Sequence, residues 1–218
     1  MPRHHKDLTT AKIVNQAIAL ADISGIESVT MRSLAKALSV TPMSLYRYVT
    51  NRDNLLDKMI DIVFGEIQLP TIGNNWRTEM HKRAVSTRTV LLTHKWALGL
   101  LDSGLQPGMA TQKHHNAVIG TLREGGFSIA STTQAMTILD AYIYGFILQE
   151  LSLPLGDSGN FDEVGESVVE MLDSTEFPYL GELATAHLAQ ADFNFGDLFE
   201  IGLDIVLEGI AVYANSQS

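Results

Sequence analysis

Residues 41–52 read Thr41-Pro42-Met43-Ser44-Leu45-Tyr46-Arg47-Tyr48-Val49-Thr50-Asn51-Arg52, a run dense in side chains suited to a polyanion with readable edges. Arginine carries a planar fork of donors that fits guanine, methionine offers apolar surface to a thymine methyl, and hydroxyls reach phosphate or base. Spacing decides whether they act together. With Leu45 set inward, Val49 falls at about 40° and Tyr48 at about −60°, while Met43 and Arg47 fall at about 160° and about 200°. Ser44 and Tyr46 lie on the flanks, so Met43, Ser44, Tyr46 and Arg47 form one outward face. Thr41 followed by Pro42 is a capping hydroxyl before a proline at the first helical position, and that positive helix end favours an approaching phosphate. The chemistry implied is recognition of duplex DNA through its major groove. The alternative is a plain helical bundle with incidental surface arginines.

Other chemistries are less well served. Seven histidines are present, but His114 and His115 are adjacent and diverge by about 100° on a helix, so they do not chelate one ion. His81, His94 and His187 lack a partner at i+3 or i+4, and His4-His5 belongs to a basic N-terminal arm. No metal and no cofactor is expected. Gly-x-Ser-x-Gly, P-loop, dinucleotide and His-Glu-x-x-His patterns do not occur. Asp162-Glu163 reads as a helix start favoured by the dipole. The chain is expected not to be an enzyme, with an undetected enzyme domain as the alternative.

Those residues need a scaffold, and the sequence predicts an all-α one. Apolar residues recur at helical spacing and no β-branched alternation appears. The first helix spans about 9–24, stopped by Gly25. Thr30 caps a second helix with Met31, Leu34, Ala35 and Leu38 at i, i+3, i+4, i+7. A tight turn leads to the helix at Thr41-Pro42, and Asn51 caps a longer helix that ends before Pro70. Three short helices with a tight turn before the third make a helix-turn-helix. Further helices are expected at about 76–93, 95–102, 108–124, 129–152, 162–173, 179–190 and 196–214, with a mobile loop at 154–160. The expected domains are residues 1–69, the helix-turn-helix domain with its connecting helix, and residues 70–218.

Composition sets the class. A 218-residue chain that is 45% hydrophobic builds a packed core. It has no cysteine, which fits a reducing compartment. No apolar run spans a bilayer and no signal peptide opens the chain, so a cytoplasmic protein without membrane contact is expected. The net charge of −10 is unevenly spread. Through Lys58, eight basic residues face five acidic ones, leaving +3 on the head and −13 on the remainder. A basic head on an acidic body fits a molecule that meets phosphate at one end.

The stretch from Ser39 to Leu56 resembles the TetR family of transcriptional regulators, whose signature follows the turn with a Leu-Tyr pair, an aromatic two residues later and an Asn-Arg step. The resemblance covers about Thr9 to Ile67. It implies that Thr30, Thr41, Tyr46, Tyr48 and Arg52 contact phosphates, and that Arg32, Pro42, Met43, Ser44 and Arg47 face bases. Helical geometry alone leaves Tyr48 half buried. Asn75-Trp76, Gly126-Phe127-Ser128 and the run Ile201 to Ile210 resemble the C-terminal domain of the tetracycline-repressor subgroup. That likeness implies a homodimer joined through two helices, about 129–152 and 196–214, with Gly202, Ile205 and Gly209 at the interface. Gly202 and Gly209 lie seven apart, nearly on one face. A glycine costs about 1 kcal/mol inside a helix, so the pair points to close backbone approach. Ordinary packing within one chain is the alternative.

The same likeness implies a small-molecule effector inside the C-terminal domain, moving the helix after Asn51 and releasing a roughly palindromic operator. Candidate walls are Met80, Arg83, Thr87, Val118, Leu122, Leu139, Tyr142 and Phe146, apolar surface with a few polar groups. Each is equally readable as core. The subgroup implies a histidine near Gln106-Pro107 holding drug-bound magnesium; 100–105 contains none, which points to an effector other than tetracycline. A dimer without an effector is the remaining reading.

Overall fold

The computed structural model describes residues 8–101, 107–153, 176–184, 186 and 194–216. Helices α1 (Thr10–Ser24), α2 (Met31–Ala37), α3 (Pro42–Leu45), α4 (Arg52–Glu66), α5 (Trp76–Thr93), α6 (Lys95–Leu98), α7 (Met109–Glu124), α8 (Ile129–Ser152), α9 (Pro178–Leu183) and α10 (Leu198–Ser216) follow in order, and no strand occurs among the described residues. The fold is all-α, as the periodicity predicts. The expected loop at 154–160 and helix at 162–173 lie outside the described residues, as do His187 and much of the expected 179–190 helix.

Local chemistry sets the starts. Thr9 accepts from the Lys12 amide at 3.2 Å, Asn51 from the Asn54 amide at 2.7 Å and Asn75 from the Thr78 amide at 3.0 Å. Thr30 and Ser33 cap each other reciprocally, each side chain meeting the other's backbone N–H at 3.0 Å. Such caps satisfy donors that a helix start leaves open. Gly25 adopts φ +76°, a left-handed turn that ends α1 with its N–H on the Ala21 carbonyl. Where the sequence predicts a helix to about 102, α6 stops at Leu98. Single-turn bonds at Gly99 and Leu100 take over from the helical ladder.

By contacts the chain forms two compact units, Met1–Thr137 and Ile138–Gln217. The first is larger than residues 1–69 because α4 packs on both α1 and α7. Its core gathers Ile13, Leu34, Leu45, Val49, Leu55 and Met59 around the first four helices, and Met80, Leu91, Val118 and Leu122 on α5 and α7 are equally buried. Four residues are too few for a self-supporting helix. Burying Leu45, worth about 1.5–3 kcal/mol, is what seats α3.

Candidate functional site

With Leu45 and Val49 fully buried, the opposite side of α3 and the turn after it faces solvent. Met43 is 75% exposed and Tyr46 48% exposed; Arg47 is exposed beside them. Ser44 and Tyr48 are half-buried. The Ser44 hydroxyl lies 2.9 Å from that of Thr41, so the two form a pair at the start of the helix. Pro42, Thr41, Thr30 and Arg32 are all exposed around this face. An apolar methionine, a phenol and an arginine thus project from a helix anchored from behind, with no described element covering them. A rigid ridge of this kind suits a groove about as wide as a helix.

Two of the residues expected on phosphates also hold the head together. Arg52 donates to the carbonyls of Val29 (3.4 Å) and Ile26 (3.3 Å) and lies 3.9 Å from Glu27, bracing the turn before α2. The Thr30 hydroxyl is engaged by Ser33. Sequence reasoning missed the brace, because its partners lie 23 and 26 residues away.

The candidate effector residues divide between the units. Met80, Arg83 and Thr87 share one buried face of α5, and Val118 and Leu122 a buried face of α7, within the first unit. Here the structure adds His114, which is fully buried and accepts from Arg83 Nε at 3.0 Å through Nε2. Burial, reinforced by the charges of Arg83 and His115, lowers its pKa to about 3, so the ring is neutral at pH 7. Since Nε2 accepts, the ring proton sits on Nδ1. That Nδ1 and the Thr121 hydroxyl are buried with no partner. A polar group left so costs about 1–3 kcal/mol. The sequence reading weighed His114 only as a metal ligand.

Two polar joints tie this core to the head. The Asp61 carboxylate on α4 accepts from the Thr111 amide at 2.9 Å and its hydroxyl at 3.1 Å, capping α7 from outside. Gly108 makes room: a Cβ there would fall on the Asp61 carboxyl. An open cleft of about 510 Å³ runs alongside, lined by Val14, Asn54, Lys58, Asp61 and Met109 among others. At the second joint, His94 Nδ1 lies 2.8 Å from Asp22 of α1 and Nε2 lies 3.1 Å from Glu66 of α4, while Trp96 Nε1 donates to Asp22 at 2.7 Å. Burial opposes charge on His94, but the bonds and attraction of the two carboxylates outweigh it and raise its pKa. The carboxylates hold opposite ring nitrogens, so the group is a clamp and not a chelate.

In the second unit, Leu139 is fully buried, and Tyr142 and Phe146 join an aromatic cluster with Phe195 and Phe199. The Tyr142 hydroxyl donates to the Phe199 carbonyl at 2.7 Å. Gly202 lies beneath that hydroxyl, where a Cβ would collide with it, so its lack of a side chain serves packing inside the chain. Gly209 is exposed with open space around it, and Ile205 is 68% exposed. Ile201 and Val212 continue the exposed stripe along α10, and Ile138 and Leu148 are exposed on α8.

Residues 69–213 match the family model described as "Tetracyclin repressor-like, C-terminal domain". An HTH-type transcriptional regulator of Saccharopolyspora erythraea is 34% identical over 144 residues, covering 66% of this chain and 61% of the relative, so the match spans under two thirds of that protein's length. The HTH-type transcriptional repressor DrrR1 of Streptomyces coeruleorubidus is 29% identical over 94% of this chain and 78% of its own. Apo ActR from Streptomyces coelicolor superposes with a TM-score of 0.81 at 26% identity, covering 99% of this chain and 100% of ActR. ActR in complex with actinorhodin gives 0.80 at 25% identity, covering 98% and 100%.

Proposed function

The chain belongs to the tetracycline-repressor-like family, and from that premise we propose that it is a homodimeric transcriptional repressor that holds a near-palindromic operator until a small molecule releases it. The observation that carries this is the outward set of Met43, Tyr46 and Arg47 over a buried Leu45 and Val49. Arg47 reads guanine, Met43 packs on thymine methyls, and Ser44 and Pro42 with Arg32 line the base edges. Thr30, Thr41, Tyr46, Tyr48 and Arg52 position the head on phosphates.

Dimerisation is supported by α10. An apolar stripe along a helix is built to be covered, yet Ile201, Ile205 and Val212 face solvent here. A second copy of α8 and α10 supplies the cover. Two identical heads then seat in successive major grooves about 34–36 Å apart. The effector lodges against α5 and α7, at Met80, Arg83, Thr87, Val118 and Leu122. Displacing α7 pulls on α4 through Asp61, and so shifts the head. The ActR complex with actinorhodin shows a relative of this fold holding a small molecule. No described helix is long and apolar enough to cross a membrane; the expected compartment is the cytoplasm, where operator DNA is found.

The experiment is a titration on a duplex enriched from a random pool, followed by anisotropy and light scattering. Two chains per duplex, released by adding an effector such as actinorhodin or a compound found by thermal shift, is the expected outcome. Tight binding of one chain per duplex would refute the dimeric reading. An operator complex that no thermal-shift ligand releases would refute the sensor and favour a dimer without an effector.

A further inference from the structure

The effector reading leaves the ligand's chemistry open, and the polar interior of the first unit narrows it. The inference rests on that reading, since it concerns the same α5–α7 core. His114 is held on two sides: Arg83 Nε–H donates to its Nε2 at 3.0 Å, and the ring of Phe64 on α4 meets it edge-on with centroids 5.6 Å apart. The first contact fixes the tautomer and the second fixes the ring plane. Nδ1–H is therefore a directed donor in the protein interior, and it has no acceptor. Two turns along the same buried face of α7, about 10 Å by helical rise, the Thr121 hydroxyl is likewise unpartnered. Met80, Val118 and Leu122 on these faces are apolar and buried, and the buried Thr87 hydroxyl is already spent on the Arg83 carbonyl at 2.8 Å.

We infer that His114 is the specificity-determining anchor of the effector site, and that its Nδ1–H donates to a carbonyl oxygen of an otherwise apolar ligand, a ketone or quinone of about three fused rings. A carbonyl fits better than a hydroxyl, because a hydroxyl would bring a donor of its own into a site that already presents one. The spacing of the two orphan groups sets the length, and the apolar walls set the body. With its proton held on Nδ1 and its pKa about 3, the ring presents the same donor throughout the neutral range. Phe64 belongs to α4, so an occupant at His114 lies beside the helix that leads to the head.

The test compares 9-fluorenone with fluorene, which share a tricyclic skeleton and differ only in the carbonyl. Affinities are measured by fluorescence on the full chain, on His114→Leu, and on His114→Asn, whose amide N–H stands near the position of Nδ1. The wild type is expected to bind fluorenone at least tenfold more tightly than fluorene; the preference should vanish in His114→Leu and persist in His114→Asn. Nitrogen NMR of the labelled histidines should show His114 neutral with its proton on Nδ1, a readout available even if His114→Leu fails to fold. Equal affinity for the two probes, no binding of either, a preference unchanged in His114→Leu, or a proton on Nε2 would each overturn the inference. Operator binding by the wild type without any probe is scored separately; its loss would count against the regulator reading and leave the anchor assignment to the NMR result.

Discussion

Arg47 and Arg52 lie five residues apart, and their surroundings differ. Arg47 is exposed on the outward face of α3 and its turn, whereas Arg52 is bonded to the carbonyls of Ile26 and Val29. Arg47→Ala is therefore expected to cost about 1–3 kcal/mol on the preferred duplex and little on other sequences. Arg52→Ala should weaken binding to all sequences alike, flatten the salt dependence, and lower the unfolding midpoint of the head. Anisotropy titrations on matched and scrambled duplexes, with a melt of each variant, check both. A second residue-scale expectation concerns His94. Its folded pKa is raised above the ordinary 6.5, so its stabilising contribution is complete below that value and is lost as pH rises through the folded pKa. Thermal midpoints taken from pH 6 upward should fall more steeply in the wild type than in His94→Phe; parallel curves would contradict the clamp. The outward face of α3 was legible in the sequence because Leu45 and Val49 obey the helical period. The clamp was not, because Asp22 and Glu66 stand 72 and 28 residues from His94 and leave no local pattern.

At the scale of elements, the joint between α4 and α7 ties the head to the helices behind it. Gly108 offers no side chain to cap α7, and Asp61 supplies the cap from another helix. Asp61→Ala should destabilise the chain by about 0.5–2 kcal/mol, in the range of a lost helix cap. Gly108→Ala should destabilise it by about 1–3 kcal/mol through overpacking against the carboxyl. Urea unfolding measures both; unaltered midpoints would show that the joint bears no load. Helix starts were readable wherever the cap is local, as at Thr9, Thr30, Asn51 and Asn75. The cap of α7 was not, since it comes from a helix about 50 residues earlier. Pro178 at the first turn of α9 is a start signal that places the helix one residue before the expected 179. The paired glycines of α10 show the limit of periodicity: spacing puts Gly202 and Gly209 nearly on one face, but only the fold reveals Tyr142 above the first and open space beside the second.

For the whole molecule, a two-fold symmetric operator complex requires two heads acting as one. Ile205→Glu places a charge in the exposed apolar stripe of α10. It should yield monomers by light scattering, with operator affinity falling at least tenfold while the helical content holds. An Ile205→Glu protein that stays dimeric would move the interface elsewhere. Base reading by the outward face of α3 and its turn is tested by selecting bound duplexes from a random pool with the wild type and with Arg47→Ala, followed by sequencing. The wild type should enrich a two-fold symmetric motif with half-site centres about one helical turn apart, and Arg47→Ala should lose the preference at one symmetric pair of positions and keep the rest. No enriched motif, or the same motif from both proteins, would contradict it.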